Sequence, residues 1–213
     1  MQKAPVLERP VDNKFKVWQR FGEIRPETTW AYAEFGGQHS GVDFYMPAGN
    51  KISCSFEGVV VRREWHQGMG NVVGVRNGNI VTLYAHLSKF EINLGEIVGG
   101  GDLVGLSGNT GAATLPDVPH LHFELRDLTR PILKEMIFEP EFGRSIKQWQ
   151  DAFAYVVNNT STPKTWGFLA ERYLGDVEKY EDIIRANPKL SFGEGERLPD
   201  GLEVVIPNFL AKK

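Results

Sequence analysis

Pro119-His120-Leu121-His122-Phe123-Glu124-Leu125-Arg126 is the stretch whose reading decides the fold class. With the two-residue period of a strand, His120, His122 and Glu124 fall on one face, and Leu121, Phe123 and Leu125 on the other. The apolar face docks on a core. The opposite face carries two imidazoles roughly 7 Å apart along the strand. That suits a zinc site in which one histidine binds metal and its neighbour serves a reaction. Taken alone, the pattern favours two histidines on the polar side of an amphipathic strand, so the decision lies in what surrounds it.

Two other stretches supply that context. His39-Ser40-Gly41-Val42-Asp43-Phe44 reads as a strand in which His39 and Asp43 face the same way, with Gly41 keeping space clear between them. Tyr84-Ala85-His86-Leu87 belongs to another strand, where period two sets Tyr84 beside His86, either as groove lining or as a packed aromatic. Four of the five histidines thus sit in strand contexts beside other site candidates; His66, in Trp65-His66-Gln67-Gly68, reads as a loop residue without a role. Two neutral imidazoles and one carboxylate form a catalytic zinc set, because they leave a fourth position for water. Such a metal acidifies water and polarises a carbonyl. Two further histidines within reach can take a proton and steady a developing oxyanion. Glu124, on the same face, reads as a partner that supports the pair.

Short apolar runs separated by turn residues fill the chain around these motifs. Residues 15–22 open as a strand and 23–38 form a loop. From Lys51 to Leu87 come three apolar runs, with Asn77-Gly78 closing a tight hairpin. The glycines between Gly95 and Gly111 lack a following Gly-Lys-Ser/Thr and sit among strands and turns, which argues against a phosphate loop. After Arg130 the character changes. A connector with some helix at 145–149 leads to a strand at 152–157, then a helix from Trp166 to Leu174 that stops at Gly175. A second helix from Val177 to Ala186 ends at Asn187-Pro188, and a strand spans 202–207. The expected fold is mainly β: an antiparallel β-sheet domain followed by a small α+β unit of strand, helix, helix and strand. The divisions are an arm at 1–14, the β domain at 15–130, a connector at 131–150 and the C-terminal module at 151–213.

Composition narrows the function classes. The 213 residues are 41% hydrophobic and 11% aromatic, enough for a proper core. A net charge of −3 gives no electrostatic case for nucleic acid or for an anionic membrane. The single cysteine, Cys54, excludes an internal disulfide or a cysteine-based zinc site and reads as a buried small apolar residue. The first ten residues lack the apolar core of a secretory signal, so a product made in the cytoplasm without a leader is expected.

His39-Ser40-Gly41-Val42-Asp43, Tyr84-Ala85-His86-Leu87-Ser88 and Pro119 to Arg126 resemble the three signatures of the M23 metallopeptidases, the LytM and lysostaphin type of zinc endopeptidase that cuts peptidoglycan peptides. Arg20-Phe21-Gly22-Glu23, Gly58-Val59-Val60 and Gly95-Glu96-Ile97-Val98 with Gly105 match the spacing, and the likeness covers about residues 15–128. The resemblance implies Zn2+ held by His39, Asp43 and His122, with His86 and His120 as the catalytic histidines. Residues 151–208 resemble the LysM fold, and in particular the LysM-like protein X of contractile phage tails, through 169–176, 184–188 and 198–207. The usual Gly-Asp-Thr opening is replaced by Ser161-Thr162-Pro163-Lys164-Thr165, which points from amino-sugar binding toward docking on other tail proteins. Together the likenesses imply a virion-associated enzyme acting on peptidoglycan peptides at the bacterial wall, with tail or baseplate proteins as partners. The rival readings are a structural tail component using the fold as scaffold, a wall-binding module, and a secreted bacterial wall hydrolase. Specificity is expected in the loops 23–38 and 112–118.

Overall fold

Apolar residues at every second position build a sheet with one face against a core, and that face holds the largest buried cluster of this protein. The structure is a computed structural model that describes residues 3–114, 118–160 and 162–208. Residues 115–117 of the expected specificity loop, Ser161, and both chain ends, with 209–213 of the expected module, lie outside the described residues.

The strands in chain order are β1 (Val17–Gln19), β2 (Val42–Tyr45), β3 (Lys51–Ser53), β4 (Gly58–His66), β5 (Gly70–Asn77), β6 (Ile80–Leu87), β7 (Lys89–Phe90), β8 (Ile97–Val98), β9 (Leu103–Leu106) and β10 (His120–Asp127). A short helix α1 (Leu133–Met136) and β11 (Ile137–Phe138) follow. The remainder is β12 (Phe153–Val156), α2 (Trp166–Leu174), α3 (Tyr180–Ala186) and β13 (Glu203–Ile206). The main antiparallel sheet runs β1-β2-β10-β6-β5-β4-β8, with β11 added on β10. A three-stranded sheet β3-β9-β7 packs beside it, and β12 pairs with β13. Phe44, Val73, Val75, Tyr84, Leu121, Phe123 and Leu125 bury the inner face of the main sheet. The outer face carries Val72, Val81, Leu83 and Ala85. Asn77 and Ile80 close the β5–β6 hairpin over a two-residue loop that begins with Gly78 at φ +59°.

Several expectations are corrected. The opening strand is only Val17–Gln19, and the stretch 23–38 includes a 3-10 helix from Thr29 to Phe35. His39 precedes β2 in an irregular segment instead of lying in a strand. No helix forms at 145–149; Ser145 bridges to Val6, and Trp149 N–H closes a turn onto Ile146 O. The helix in this region is α1, earlier in the chain. The N-terminal arm is part of the packing: Leu7 and Val11 are buried in the main cluster, and Glu8 N–H donates to Ser55 O at 2.7 Å.

A second buried cluster gathers Phe153, Trp166, Leu169, Leu174, Ile183, Val204 and Ile206. Thr165 Oγ1 caps α2 by accepting from Phe168 N–H, and Gly175, at φ +70°, ends it. A Cβ on Gly175 would stand 2.4 Å from Val60 O, so the end of α2 rests directly on β4. Arg76 of β5 fastens this contact. Fully buried, it donates to Gly78 O at 2.7 Å, Tyr173 O at 2.5 Å and Pro207 O at 2.9 Å. Burial lowers its pKa to about 9. Replacing it with an apolar side chain strips partners from buried carbonyls on both sides of the junction. Arg76→Met is therefore expected to cost about 2–4 kcal/mol in denaturant unfolding. Unchanged stability would show that Arg76 does not fasten the two clusters.

Candidate metal centre

Strand register sets the first pair of donors. β10 lies between β2 and β6, and His122 is directly opposite Asp43 on one side and Ala85 on the other. Opposed residues share a face with Cβ atoms about 4.5–5.5 Å apart, so the imidazole and carboxylate meet without special loops. His39 arrives from the irregular segment before β2 and is held by a turn: Gly22 N–H donates to His39 O, and His39 N–H to Glu23 O. Gly41 is needed for this approach, because a Cβ there would lie 2.3 Å from Phe123 O and 2.9 Å from His122 Cε1.

The donor atoms form a tight triangle. His39 Nε2 is 3.1 Å from His122 Nδ1 and 3.1 Å from Asp43 Oδ1, and His122 Nδ1 is 2.8 Å from Asp43 Oδ1. All three residues are buried. Carbonyls and carboxylates fix the tautomers, since those oxygens only accept. His39 donates its Nδ1–H to Arg20 O at 2.9 Å, and His122 its Nε2–H to Glu124 Oε1 at 3.0 Å. Two nitrogen lone pairs and a carboxylate then face one point away from water, which demands a cation. Zinc with ligands at about 2.0–2.1 Å in a tetrahedron separates them by about 3.3 Å, close to the edges here. Without metal, the cation is a proton. Burial pulls the His122 pKa down, but Asp43 and Glu124 outweigh it and raise it to about 10. Asp43 is held far below the carboxylate range against the cost of burial by His122 and His39.

Glu124 is the hub of the surrounding shell. Fully buried, it accepts from Ser40 Oγ at 2.6 Å, from Arg126 Nε at 2.7 Å and from His122. His86 and His120 complete the cluster with ring centroids 4.7 Å apart. His86 donates Nδ1–H to Thr110 O at 2.7 Å and His120 to Val118 O at 2.8 Å, so each turns a bare Nε2 toward the site. His120 Nε2 stays 3.8 Å from Asp43 Oδ2, too far for a hydrogen bond. Burial is the main cause that pushes His86 down to about 3 and lowers His120, so both are neutral bases near pH 7.

All five expected residues converge, but one does so by a route that strand periodicity does not give. Tyr84 faces the core, where its hydroxyl accepts from Ser55 N–H at 2.8 Å. It therefore does not line the groove. His86 reaches the other face because its φ is +62°, the one positive value among the described non-glycine residues. Tyr32 went unread in the sequence. It lies in the 3-10 helix and sets its ring edge-on to His39 at 5.0 Å, with no periodic signal to mark it. His66, read as a loop residue, is instead the last residue of β4 and lines the groove beside the site; the groove measures about 490 Å³ and also includes Trp30, Tyr32 and Met69.

Comparisons with known proteins agree with this geometry. Residues 37–133 match peptidase family M23, and residues 159–213 match Phage Tail Protein X. Peptidoglycan DD-endopeptidase ShyA of Vibrio cholerae is 40% identical over 124 residues, 58% of this chain and 27% of that protein. The chain thus spans little more than a quarter of that curated relative. The catalytic domain of lysostaphin from Staphylococcus simulans superposes with a TM-score of 0.52 at 29% identity, over 60% of this chain and 90% of that one. A zinc-containing peptidase from Vibrio cholerae gives 0.51 at 26% identity, over 64% and 39%.

Glu124→Gln keeps the shape of the shell and removes its charge. Zinc affinity, read by competition with a chromophoric chelator, is expected to fall about 10–100-fold. An unchanged affinity would mean that Glu124 does not support the donor set.

Proposed function

We propose that the chain is a zinc-dependent endopeptidase that hydrolyses peptide bonds in peptidoglycan stems or cross-bridges, a reading supported by the match of residues 37–133 to peptidase family M23. The observation that carries the reading is the buried triangle of His39 Nε2, Asp43 Oδ1 and His122 Nδ1, with two neutral histidines beside it, of which His86 lines an adjoining groove.

In this reading His39, Asp43 and His122 hold the metal. Bound there, zinc supplies Lewis acidity that acidifies water and polarises a peptide carbonyl. The protein's own residues handle the protons. His86 Nε2 and His120 Nε2 are both acceptors while their Nδ1–H groups remain on Thr110 O and Val118 O. One takes the proton of the attacking water and becomes an imidazolium, which the carbonyl on its far side steadies. That imidazolium then donates to the developing oxyanion or to the departing amine. Glu124 keeps the Nε2–H of His122 engaged, so His122 presents Nδ1 throughout. Tyr32 packs against His39 and closes one wall of the groove.

The C-terminal unit supports a place of action. The match of residues 159–213 to Phage Tail Protein X favours a virion-associated enzyme that docks on tail or baseplate proteins through a LysM-like module at 151–213, behind a peptidase domain at 15–130. The same observation favours the second reading, a tail component that uses the peptidase fold as scaffold. Among the described residues, no helix is long and apolar enough to cross a membrane.

Digestion of purified sacculi, with and without a zinc chelator, separates the readings. Chelator-sensitive release of fragments with a defined new amine end is expected. His122→Ala is expected to lose metal, whereas His120→Ala keeps metal and loses about 10²–10⁴-fold in turnover. Zinc bound without release from several wall types would leave the scaffold reading. Full activity in both variants would overturn the site assignment.

A further inference from the structure

The outer face of the main sheet leads from the histidines toward the C-terminal unit, and arginines line the way. On β10 the site face continues past His122 and Glu124 to Arg126. Across the sheet Glu124 lies opposite Leu83, Leu83 opposite Gly74, and Gly74 opposite Arg62. Gly74 leaves that row low. A Cβ there would stand 2.9 Å from Arg62 Cβ and 3.0 Å from Leu83 Cδ2. The groove beside His86 and His122 includes Arg62 and Arg126, and an adjoining hollow of about 180 Å³ shares both with Arg172 of α2. The two hollows therefore adjoin at Arg62 and Arg126, and the second reaches a point where α2 contributes a further guanidinium, that of Arg172.

The local charge is unbalanced. Arg126 pairs with Glu124 at 2.5 Å, but that carboxylate also serves His122 and Ser40. Arg62 pairs with Glu64 at 2.6 Å, whose side chain is half exposed. Arg172 is exposed and has no ion-pair partner among the described residues. Burial foremost, and the charges of Arg126 and Arg172 after it, hold Arg62 below the ordinary guanidinium range despite Glu64. The partly buried guanidinium groups of Arg62 and Arg126, with the exposed one of Arg172 beside them, match a planar carboxylate, which a guanidinium fork holds through paired N–H bonds.

We propose that Arg62, Arg126 and Arg172 form a carboxylate subsite that recognises a peptide bearing a free carboxylate along the chain from the bond presented to His86 and His120. This rests on the peptide-hydrolysis reading above and names the substrate class for it. From His122 to Arg126 is four strand residues, about 13 Å. With the reach of the side chains, the carboxylate lies about two to four residues from the reacting bond in an extended peptide. Because Arg172 comes from α2, the subsite is complete only when the C-terminal unit rests on the sheet. Arg126 also fixes Glu124, so Arg62 and Arg172 are the informative positions.

The test is equilibrium binding to the zinc-loaded full chain carrying His120→Ala, which keeps the peptide uncut. The probes are a synthetic peptidoglycan stem pentapeptide with free carboxylates and the same peptide with every carboxylate amidated. The amidated peptide is expected to bind about tenfold more weakly. Arg62→Gln and Arg172→Gln should each abolish most of that difference, with Arg172→Lys restoring part of it. Circular dichroism and zinc content confirm that each variant is folded. Equal affinity for the two peptides, or full discrimination kept in both variants, would overturn the subsite. Cleavage of sacculi reports on the peptidase reading separately: hydrolysis without carboxylate discrimination rejects the subsite alone.

Discussion

Two imidazole lone pairs and a carboxylate held within about 3 Å of each other, away from water, repel unless a cation stands between them. The rest of the site follows from keeping that triangle in place. Register brings His122 opposite Asp43, a turn at 20–23 grips His39, and Gly41 lets the chain approach closely. Each imidazole is pinned at its remote nitrogen by an oxygen that can only accept. A proton on His122 answers the same demand as a metal. Metal and proton therefore compete for the same donors.

The neighbouring histidines are governed by a different constraint. They must be neutral and must turn Nε2 inward, and burial with a backbone carbonyl behind each ring provides both. For His86 this requires a left-handed backbone one residue before the end of β6, a conformation costly for a residue with a Cβ. The hydrogen bonds from His86 N–H to Met69 O and from Nδ1–H to Thr110 O hold it. Backbone strain here brings to the site a side chain that the pleat would have sent into the core.

The outer face of the sheet is divided between two uses. Near one end it carries the histidines and the groove; toward the other it is covered by α2, with Arg76 bonded to carbonyls on both sides. Leu128 packs against the outer-face cluster and the C-terminal cluster alike. The proposed division into a peptidase domain and a docking module is thus a division of a continuous surface. A unit anchored this way fixes its orientation to the groove, which a flexible linker would not.

The alternation at 119–126 marked an antiparallel β unit, and the motifs around His39, His86 and His122, through their side-chain chemistry and family resemblance, marked the five residues that meet in it, because motif and residue type are local properties. The helices α2 and α3 were equally legible, through apolar spacing and the glycine and proline that stop them. What only the tertiary structure decided are features set by contacts between distant segments. Ile146–Trp149 has helical residues but is spent closing a turn beside Val6, while the arm that seemed peripheral buries Leu7 and Val11. Tyr84 and His86 share a strand period yet face opposite ways, because the backbone turns between them. Tyr32, the bond from Ser40 to Glu124 and the meeting of Arg172 with Arg62 and Arg126 depend on which segments fold against each other, and no spacing along the chain encodes that.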